Sequence, residues 1–414
     1  MNIKSTFRGA FSKSSRSEAE MKLTTTQVAL LEAIKASLFG TEPNYSADTD
    51  WDEVIKEAKA QTVLGIISPV IPVKDVSVEM GKATYMRILF EQDKLVKLLD
   101  ANDIPCVILK GSAAAQYYPK PYLRAMGDID VLVTRAKFEK AVEVLESNGY
   151  IYDHNKDENG HMLAYERNIV YKKNGIIIEL HHHFSSEGFD MDDILEQSID
   201  KREYRELDGY KIPVLPDIEN GLVLLGHINQ HMRGCDLGLR QIIDWEIFIH
   251  KVMDRDLWEN TFIPIARSTG LDELALNTTA MCIEYCGLPN DLNMVIQSKK
   301  SLAEYLDIIF ETGNFGIKAY NSSKKKNDKR IMYTAYNIKS FGFFRYFQND
   351  GLRKWSLCKK YPFLIHFAWI YGIVRTVIKG ISSNINIKSI KKEVKNGNDR
   401  LSLNKNIGVK SKNT

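Results

Sequence analysis

The sequence predicts an α+β fold, in which a small mixed β-sheet lies between two helical regions of the chain. Two apolar runs, residues 107–109 and 128–133, are bounded by Pro, Gly and polar residues, which is typical of short strands. Asn174-Gly175 separates two further extended runs and predicts a β-hairpin. On either side of these runs, apolar residues recur at helical spacing, so helices should flank the sheet.

The length of 414 residues exceeds one ordinary hydrophobic core and favours two domains. Changes in composition and pattern predict the boundaries. We expect a disordered extension over 1–20 with Met21 as the natural start, a helical region over 21–104, a sheet-containing core over 105–215, a helical domain over 216–380 and a disordered tail over 381–414.

Composition narrows the classes of partner and compartment. The net charge of +3 is too small to indicate nucleic-acid binding and argues against such a partner. The five cysteines form no zinc or disulfide pattern, which fits a reducing compartment. The first twenty residues lack the apolar stretch of a signal peptide. Together these features favour a cytoplasmic location.

Helical patterns fill the region before the first strand. They cover residues 24–38, 51–60 and 83–102, with a short helix and a loop over 64–73. In the first helix, Val28, Leu31, Ile34 and Leu38 form one apolar stripe, and a Thr cluster supplies the N-cap. Pro105 follows the last helix, after which the chain enters the strand at 107–109.

After the strand at 128–133, Thr134 is placed to cap a helix that ends at about residue 148, with Gly149 at its C-terminus. A short strand over 150–153 and a polar loop over 155–160 follow. Residues 164–173 and 175–183 then form the hairpin that Asn174-Gly175 predicts.

Asp128 and Asp130 are the strongest candidates for chemistry. Alternation along a strand places both on one face, roughly 7 Å apart along the chain, while Ile129, Val131 and Val133 face a core. Two neighbouring carboxylates repel each other unless a cation lies between them. Lys110-Gly111-Ser112, at the end of the preceding strand, has the strand–glycine–helix arrangement of a phosphate-binding turn.

Glu179 is a candidate third carboxylate. It lies among isoleucines in the second hairpin strand, where an unpaired charge is costly to bury. We expect its carboxylate on the order of 4–7 Å from that of Asp128 or Asp130 if all three share a metal site. The alternative is a strand-end side chain that faces solvent. Alternation puts His181 on the same face, and a site that uses all of the histidines at 181–183 is not expected.

The helical domain begins near Asp217 and carries His227 and His231 on one helix face. This His-Ile-Asn-Gln-His spacing lacks the Glu of a zinc protease, so we reject that function. The two histidines have either a structural or a substrate-binding role. Arg240 and Asp244 are four residues apart and pair with each other in the structural interpretation.

The last third of the sequence carries fewer chemical signals. Residues 322–329 form a charged break that predicts a loop, and residues 338–359 mix aromatic and basic side chains. Residues 363–378 are strongly apolar but shorter than the ~20 residues that span a bilayer. Two interpretations remain open for this segment: it docks onto the helical domain, or it contacts a membrane surface peripherally.

The region 107–133 resembles the nucleotidyltransferases with a DNA-polymerase-beta type of fold. The resemblance is carried by Leu109, Gly111-Ser112 and Asp128-Ile129-Asp130. Lys110 and the segment from Arg124 to Asp130 are more closely similar to an uncharacterised bacterial nucleotidyltransferase family. Fifteen residues separate Ser112 from Asp128, a longer gap than minimal members of the superfamily have.

The resemblance implies transfer of a nucleoside monophosphate from a nucleoside triphosphate such as ATP to an acceptor hydroxyl, with two Mg²⁺ ions and release of pyrophosphate. It implies catalytic and metal-binding roles for Asp128, Asp130 and Glu179. Further contacts with the nucleotide or acceptor are implied for Lys110, Gly111, Ser112, Arg124, His181, His231, Arg240 and Asp244. An unidentified sugar or small metabolite is the expected acceptor. The alternative is a catalytically degenerate module of a surface-polysaccharide or natural-product pathway, which binds a nucleotide or a partner without turnover. A third possibility is an enzyme that modifies a protein or a nucleic acid.

Overall fold

The computed structural model describes residues 23–152, 168–184, 191–296, 299–320, 323–355, 357–382 and 387–410. Within these ranges the strands are β1 Cys106–Leu109, β2 Asp128–Val133, β3 Ile151–Tyr152, β4 Asn168–Lys173, β5 Ile176–His181, β6 Glu203–Leu207 and β7 Tyr210–Val214. They form one mixed sheet in the order β3-β4-β5-β2-β1-β7-β6, which confirms the predicted α+β class.

Strand β2 lies in the middle of this sheet. It pairs antiparallel with β1 and parallel with β5. The predicted alternation holds, because Ile129, Val131 and Val133 belong to one buried apolar cluster while Leu132 belongs to another on the opposite side. Asp128 and Asp130 share the face of Leu132.

The N-terminal helices follow the predicted pattern, except that Val28 of the predicted apolar stripe is 42% exposed. Thr24 and Gln27 form a capping box at the first helix, as the Thr cluster predicts. The fourth helix begins several residues before the predicted position 83, because the Asp75 carboxylate accepts the Ser77 N–H at 2.9 Å and so stabilises the first turn. The helices are α1 Thr25–Phe39, α2 Trp51–Gln61, α3 Leu64–Ile67 and α4 Ser77–Asp100.

Turn residues set the connections within the sheet region. Asn174 and Gly175 have φ angles of +49° and +74°, the left-handed pair that a two-residue hairpin turn requires. The hairpin of β6 and β7 was not predicted, although Asp208-Gly209 at its turn is the same kind of signal. The predicted loop 155–160 and the start of the predicted strand at 164–167 lie outside the described residues. The helices here are α5 Gly111–Ala115, α6 Phe138–Ser147 and α7 Asp192–Ile199.

The helical half packs around Trp245, Phe248 and Phe262, whose side chains are fully buried. Residues Trp258–Phe262 and Cys282–Cys286 form π-helical turns between regular helices. The helices of this half are α8 Asp217–Gly234, α9 Leu239–Val252, α10 Arg255–Leu257, α11 Ile263–Ser268, α12 Asp272–Met281 and α13 Lys299–Thr312.

Two regions near the C-terminus differ from the prediction. The charged break at 322–329, predicted as a loop, lies largely within a helix that begins at Ser323. The tail, predicted to be disordered, contains a helix whose Leu401 and Leu403 are buried, and Asn404 donates to the Tyr336 hydroxyl at 3.0 Å. The buried leucines form an apolar stripe that a neighbouring helix covers. The low average apolar content of the tail did not reveal this stripe. These helices are α14 Ser323–Phe341, α15 Phe343–Lys354, α16 Leu357–Lys360, α17 Ala368–Ser382 and α18 Ile387–Asn406.

Helix α17 and the 3₁₀ segment Pro362–Phe367 contain the apolar residues 363–378. Glycines let α17 approach α15 closely, because a Cβ at Gly351 would lie 1.8 Å from the Ala368 carbonyl oxygen. The outer side leaves the side chains of Phe363 and Ile378 exposed. Among the described residues, no helix combines the length and the apolar character that crossing a bilayer requires. The predicted extension over residues 1–20 lies outside the described part of the chain.

Candidate active site

The parallel pairing of β2 with β5 brings the predicted carboxylates together. Asp130 is the register partner of Glu179, and Asp128 is the partner of Ile177. One ligand atom each from Asp130, Glu179 and His181 lie within 4.8 Å of one another. This agrees with the separation expected for Glu179 and places His181 against the same carboxylates. Because the Asn174-Gly175 turn fixes the β4–β5 register, a one-residue slip would move Glu179 to the other face of the sheet.

Asp130 is held by two side chains, a lysine and a histidine. Its Oδ1 lies 2.7 Å from Lys110 Nζ and 2.9 Å from His181 Nε2. Burial alone would raise the pKa of Asp130, but Lys110 and His181 outweigh burial and hold this pKa well below its usual value. The same contacts, against the opposing effect of burial, raise the pKa values of Lys110 and His181. Asp130 is therefore an ionised carboxylate at neutral pH.

Asp128 lies in an environment of the opposite kind. Burial, followed by repulsion from Asp130, raises the pKa of its carboxyl to about 6. Glu179 is partly exposed, and it accepts a hydrogen bond of 2.6 Å from the Asn168 amide. Three carboxylates therefore crowd a site in which Lys110 already pairs with one of them. A divalent cation would relieve this repulsion.

The donor set fits the implied metal. Carboxylate oxygens are the ligands that Mg²⁺ prefers, and Asp128, Asp130 and Glu179 supply them. His181 adds a nitrogen that Mg²⁺ seldom takes, and in this structure its Nε2 contacts Asp130. The geometry therefore favours carboxylate ligation with His181 as a neighbour that orients Asp130.

The backbone of the turn after β1 is strained. Lys110 has a φ of +49° and Gly111 a φ of +28°, both outside the range that ordinary side chains prefer. The side chain that binds Asp130, that of Lys110, therefore comes from a strained turn. The Ser112 hydroxyl, predicted to contact phosphates, instead donates to the buried Gln92 side chain at 2.7 Å. The phosphate contact of Ser112 stays a prediction.

Arg124 and Asp244, both of which the resemblance implies contact the nucleotide or acceptor, bind each other in this structure. Their side chains form a buried bidentate ion pair, with Nε to Oδ1 at 2.7 Å and Nη2 to Oδ2 at 2.6 Å. The Tyr118 hydroxyl donates to the same carboxylate at 2.7 Å. All carboxylate oxygens of Asp244 are thus engaged, and the predicted pairing of Asp244 with Arg240 is wrong. Arg124 is committed to this pair and is not a free cation for triphosphate.

Arg240 is the cation that this arrangement leaves available. It donates from Nη1 to the Ala125 carbonyl at 3.3 Å, three residues before Asp128. Among the described residues, no carboxylate lies within ion-pair distance of Arg240, and its buried Nε has no hydrogen-bond partner. Burial and then the Arg124 charge lower the pKa of Arg240, while the charges of Asp244 and then Asp128 act in the opposite direction. An anionic ligand would complete this site.

His231 is the middle member of a hydrogen-bonded chain of three side chains, with Asp236 on one side and His227 on the other. Its Nδ1 lies 2.8 Å from Asp236 Oδ1, and its Nε2 lies 2.8 Å from His227 Nε2. Burial lowers the pKa of His227 well below its usual value, as do the charges of His231 and Lys110. His227 is thus a neutral imidazole near the lysine that holds Asp130.

Sequence reasoning did not identify several residues of the site. Gln92, Asn168 and Asp236 contact predicted site residues, but each comes from a different element, and tertiary packing alone brings them there. Phe315 lies with its ring centroid 5.3 Å from the Arg240 guanidinium carbon and 5.3 Å from the centre of the His231 ring. An isolated Phe after Gly313-Asn314 gave no sequence signal of this placement.

Three comparisons relate the chain to known proteins. A solved antigenic nucleotidyltransferase-like protein from Paracoccidioides brasiliensis is 15% identical, with a TM-score of 0.31, and the match covers 51% of this chain and 94% of that one. No curated protein matches the chain. The model of a family described as uncharacterised nucleotidyltransferase matches residues 47–287, which include the whole carboxylate site. Because the match spans more than half of the sequence, the chain belongs to this uncharacterised nucleotidyltransferase family.

Proposed function

We propose that this protein transfers a nucleoside monophosphate from a nucleoside triphosphate to an acceptor hydroxyl. The observation that carries the proposal is the register of β2 and β5, which sets Asp130 beside Glu179 with Asp128 on the same strand face. The acceptor oxygen forms a bond to the α-phosphorus, and the bond from that phosphorus to the bridging oxygen breaks. Pyrophosphate leaves with that oxygen.

Each side chain of the site has a distinct part in this reaction. Asp128, Asp130 and Glu179 would hold Mg²⁺, which when bound neutralises the charge that develops on the attacking and leaving oxygens. Lys110 and His181 orient the Asp130 carboxylate. Glu179 is open to solvent on one side, so it either completes the metal site or accepts the proton of the acceptor hydroxyl.

The triphosphate would be bound on the cationic side of the site. Gly111 lets the main chain of the turn approach an anion closely. Arg240, which has no carboxylate partner among the described residues, supplies positive charge in place of Arg124. We propose a sugar or small metabolite as the acceptor, because proteins of the resembled family look like accessories to surface-polysaccharide or natural-product synthesis. The low net charge argues against a nucleic acid in this role.

Calorimetry with each nucleoside triphosphate tests metal-dependent binding. We expect binding with Mg²⁺ and a loss of at least about 10-fold in affinity with EDTA, because the carboxylates then repel the triphosphate. The variant Asp128→Asn should lose binding or pyrophosphate release, whereas the exposed Glu143→Gln should behave like the parent protein. Equal affinity in EDTA would rule out the carboxylate metal site. Tight binding without pyrophosphate release from any acceptor mixture would favour the degenerate binding module.

Peripheral membrane contact through residues 363–378 is a separate part of the proposal. The 3₁₀ segment Pro362–Phe367 exposes Phe363 and Phe367, and α17 exposes Ile370, Val374 and Ile378. The sequence from 343 to 379 carries seven Lys and Arg residues and the single acid Asp350, so anionic lipid is the complementary surface. Sedimentation with anionic vesicles should remove the protein from solution, and Phe363→Ser with Ile378→Ser should release it. Equal recovery in the supernatant with and without vesicles would end this proposal.

A further inference from the structure

The loop that follows α13 holds an aromatic ring beside the candidate active site. Phe315 is 51% exposed, although it is packed against Arg240 and His231 on its inner side. Because Arg240 also binds the Ala125 carbonyl, one residue connects the Phe315 ring to the segment that leads into Asp128. The exposed face of the ring therefore borders the triphosphate side of the site.

The backbone at Phe315 is strained. Its φ and ψ are +53° and +23°, and Gly316 follows with a φ of +64°. An aromatic L-residue in this left-handed region is unusual and costs roughly 1–2 kcal/mol. Strain of this kind persists where the surrounding structure enforces it, and it is concentrated at binding and catalytic sites.

A buried anchor enforces that conformation. The Asn314 side chain is almost fully buried, donates to the Thr62 hydroxyl at 2.7 Å and accepts from the Gln241 amide at 2.8 Å. Gln241 follows Arg240 on α9, so the loop and the cation beneath Phe315 are fixed to the same helix turn. A Cβ at Gly238 would lie 2.6 Å from the Asn314 Cα, which shows how closely the two segments pack. The ring is thus preorganised instead of being a mobile surface side chain.

We propose that the exposed face of Phe315 is a stacking platform for the nucleobase of the bound nucleotide. A planar ring gains affinity from stacking on a fixed aromatic side chain, and every base offers such a face. Arg240 lies under the platform with an unpartnered Nε, so the same structure offers a cation to the phosphates attached to that base. The subsite accepts a ring and an anion together, which is the chemistry of a nucleotide.

This inference rests on the proposed function, so its test separates ring binding from phosphate binding. Calorimetry in Mg²⁺ would compare ATP with inorganic tripolyphosphate, which carries the anionic charge but no ring. The parent protein should bind ATP more tightly than tripolyphosphate. The variant Phe315→Asn should weaken ATP binding roughly 10-fold and leave the affinity for tripolyphosphate unchanged.

The choice of variants keeps folding out of the result. Asn tolerates the left-handed backbone, so Phe315→Asn should keep or raise the melting temperature while removing the ring. Phe315→Tyr should retain ATP affinity, and Phe344→Ala, which removes an exposed ring on α15, is the matched control. Unchanged ATP affinity in Phe315→Asn, with a parent protein that binds ATP, overturns the platform alone. A parent protein that binds neither tripolyphosphate nor any nucleoside triphosphate overturns both proposals.

Discussion

Arg124 and Asp244 form a bidentate ion pair between the segment before β2 and helix α9, 120 residues apart in sequence. Both side chains are almost fully buried, so the pair connects the sheet to the helical half in a region that excludes water. Arg240, one turn earlier on α9, is thereby left without a carboxylate among the described residues. The same packing thus pairs Arg124 with Asp244 and leaves Arg240 without a carboxylate partner among the described residues.

Breaking the Arg124–Asp244 pair should strongly destabilise the fold. We expect Arg124→Met to cost about 3–5 kcal/mol in the free energy of unfolding, because Asp244 would remain buried without its cation. Urea denaturation measures this, with Arg135→Ala as the control because its ion pair with Asp193 is exposed and should contribute less than about 1 kcal/mol. A double variant, Arg124→Met with Asp244→Leu, should lose less than the two single variants combined. Simple additivity would contradict a coupled pair.

The two strand aspartates should respond oppositely to neutralisation. In the metal-free protein, Asp130→Asn should cost about 3–5 kcal/mol, because it leaves the buried Lys110 without its partner. Asp128→Asn should keep or raise stability, since it removes a carboxylate that Asp130 and Glu179 repel. Urea denaturation in EDTA compares the two variants under identical conditions. Equal losses would show that Asp128 also has a structural cation partner.

The sequence patterns that led to correct predictions of structure are local. Alternation along β2 and the left-handed pair at Asn174-Gly175 were sufficient to predict the strand faces of Asp130 and Glu179, because both depend on neighbouring residues. That β5 lies beside β2 was implied by the family resemblance. The turn at Asp208-Gly209 is a local signal of the same type, and it joins β6 and β7.

The features that sequence reasoning missed depend on residues far apart in the chain. The partner of Asp244 is chosen by packing across 120 residues, which overrides the helical spacing that favoured Arg240. Helix α18 is stable because α14 covers its apolar stripe, and the composition of the tail does not show this contact. Composition alone therefore predicted disorder. Phe315 reaches the site because the buried Asn314 anchors its loop to α9.

Glu246 should make the protein less stable as pH rises. Burial raises the pKa of its carboxyl to about 8, and the Leu288 N–H offsets only part of this effect. Neither carboxylate oxygen meets hydrogen-bond geometry with a described residue, and the thiols of Cys282 and Cys286 are its neighbours. The protonated form is therefore the one that folding favours. Its contribution is complete below the unfolded pKa of about 4.5 and is lost progressively up to about pH 8.

The size of this effect follows from linkage. Between pH 4.5 and pH 7, ionisation of the unfolded chain should remove about 3 kcal/mol of stability. Glu246→Gln should abolish this dependence, because a neutral amide does not titrate. Urea denaturation at several pH values measures the slope, and Glu143→Gln is the exposed control. A slope that survives in Glu246→Gln would assign it to other groups.

His227 should produce a pH dependence of the opposite sign. Burial, His231 and Lys110 lower its pKa well below 6.5, so folding favours the neutral imidazole. This contribution is fully present above the unfolded pKa of about 6.5 and is lost as pH falls below that value. By pH 5.5 the loss should reach about 1 kcal/mol, provided that the folded protein keeps His227 neutral.

The contact between His227 and His231 offers a direct measurement of the same state. Their Nε2 atoms lie 2.8 Å apart, so one must donate a proton while the other accepts, and Asp236 orients His231 through Nδ1. Nitrogen-15 NMR should therefore show His227 unprotonated at pH 6, with its signals identified by their loss in His227→Gln. That variant should also remove the loss of stability below pH 6.5, whereas the exposed His366→Gln should not. A protonated His227 at pH 6 would contradict this prediction. It would mean that a negatively charged group offsets the effect of His231 and Lys110 on His227.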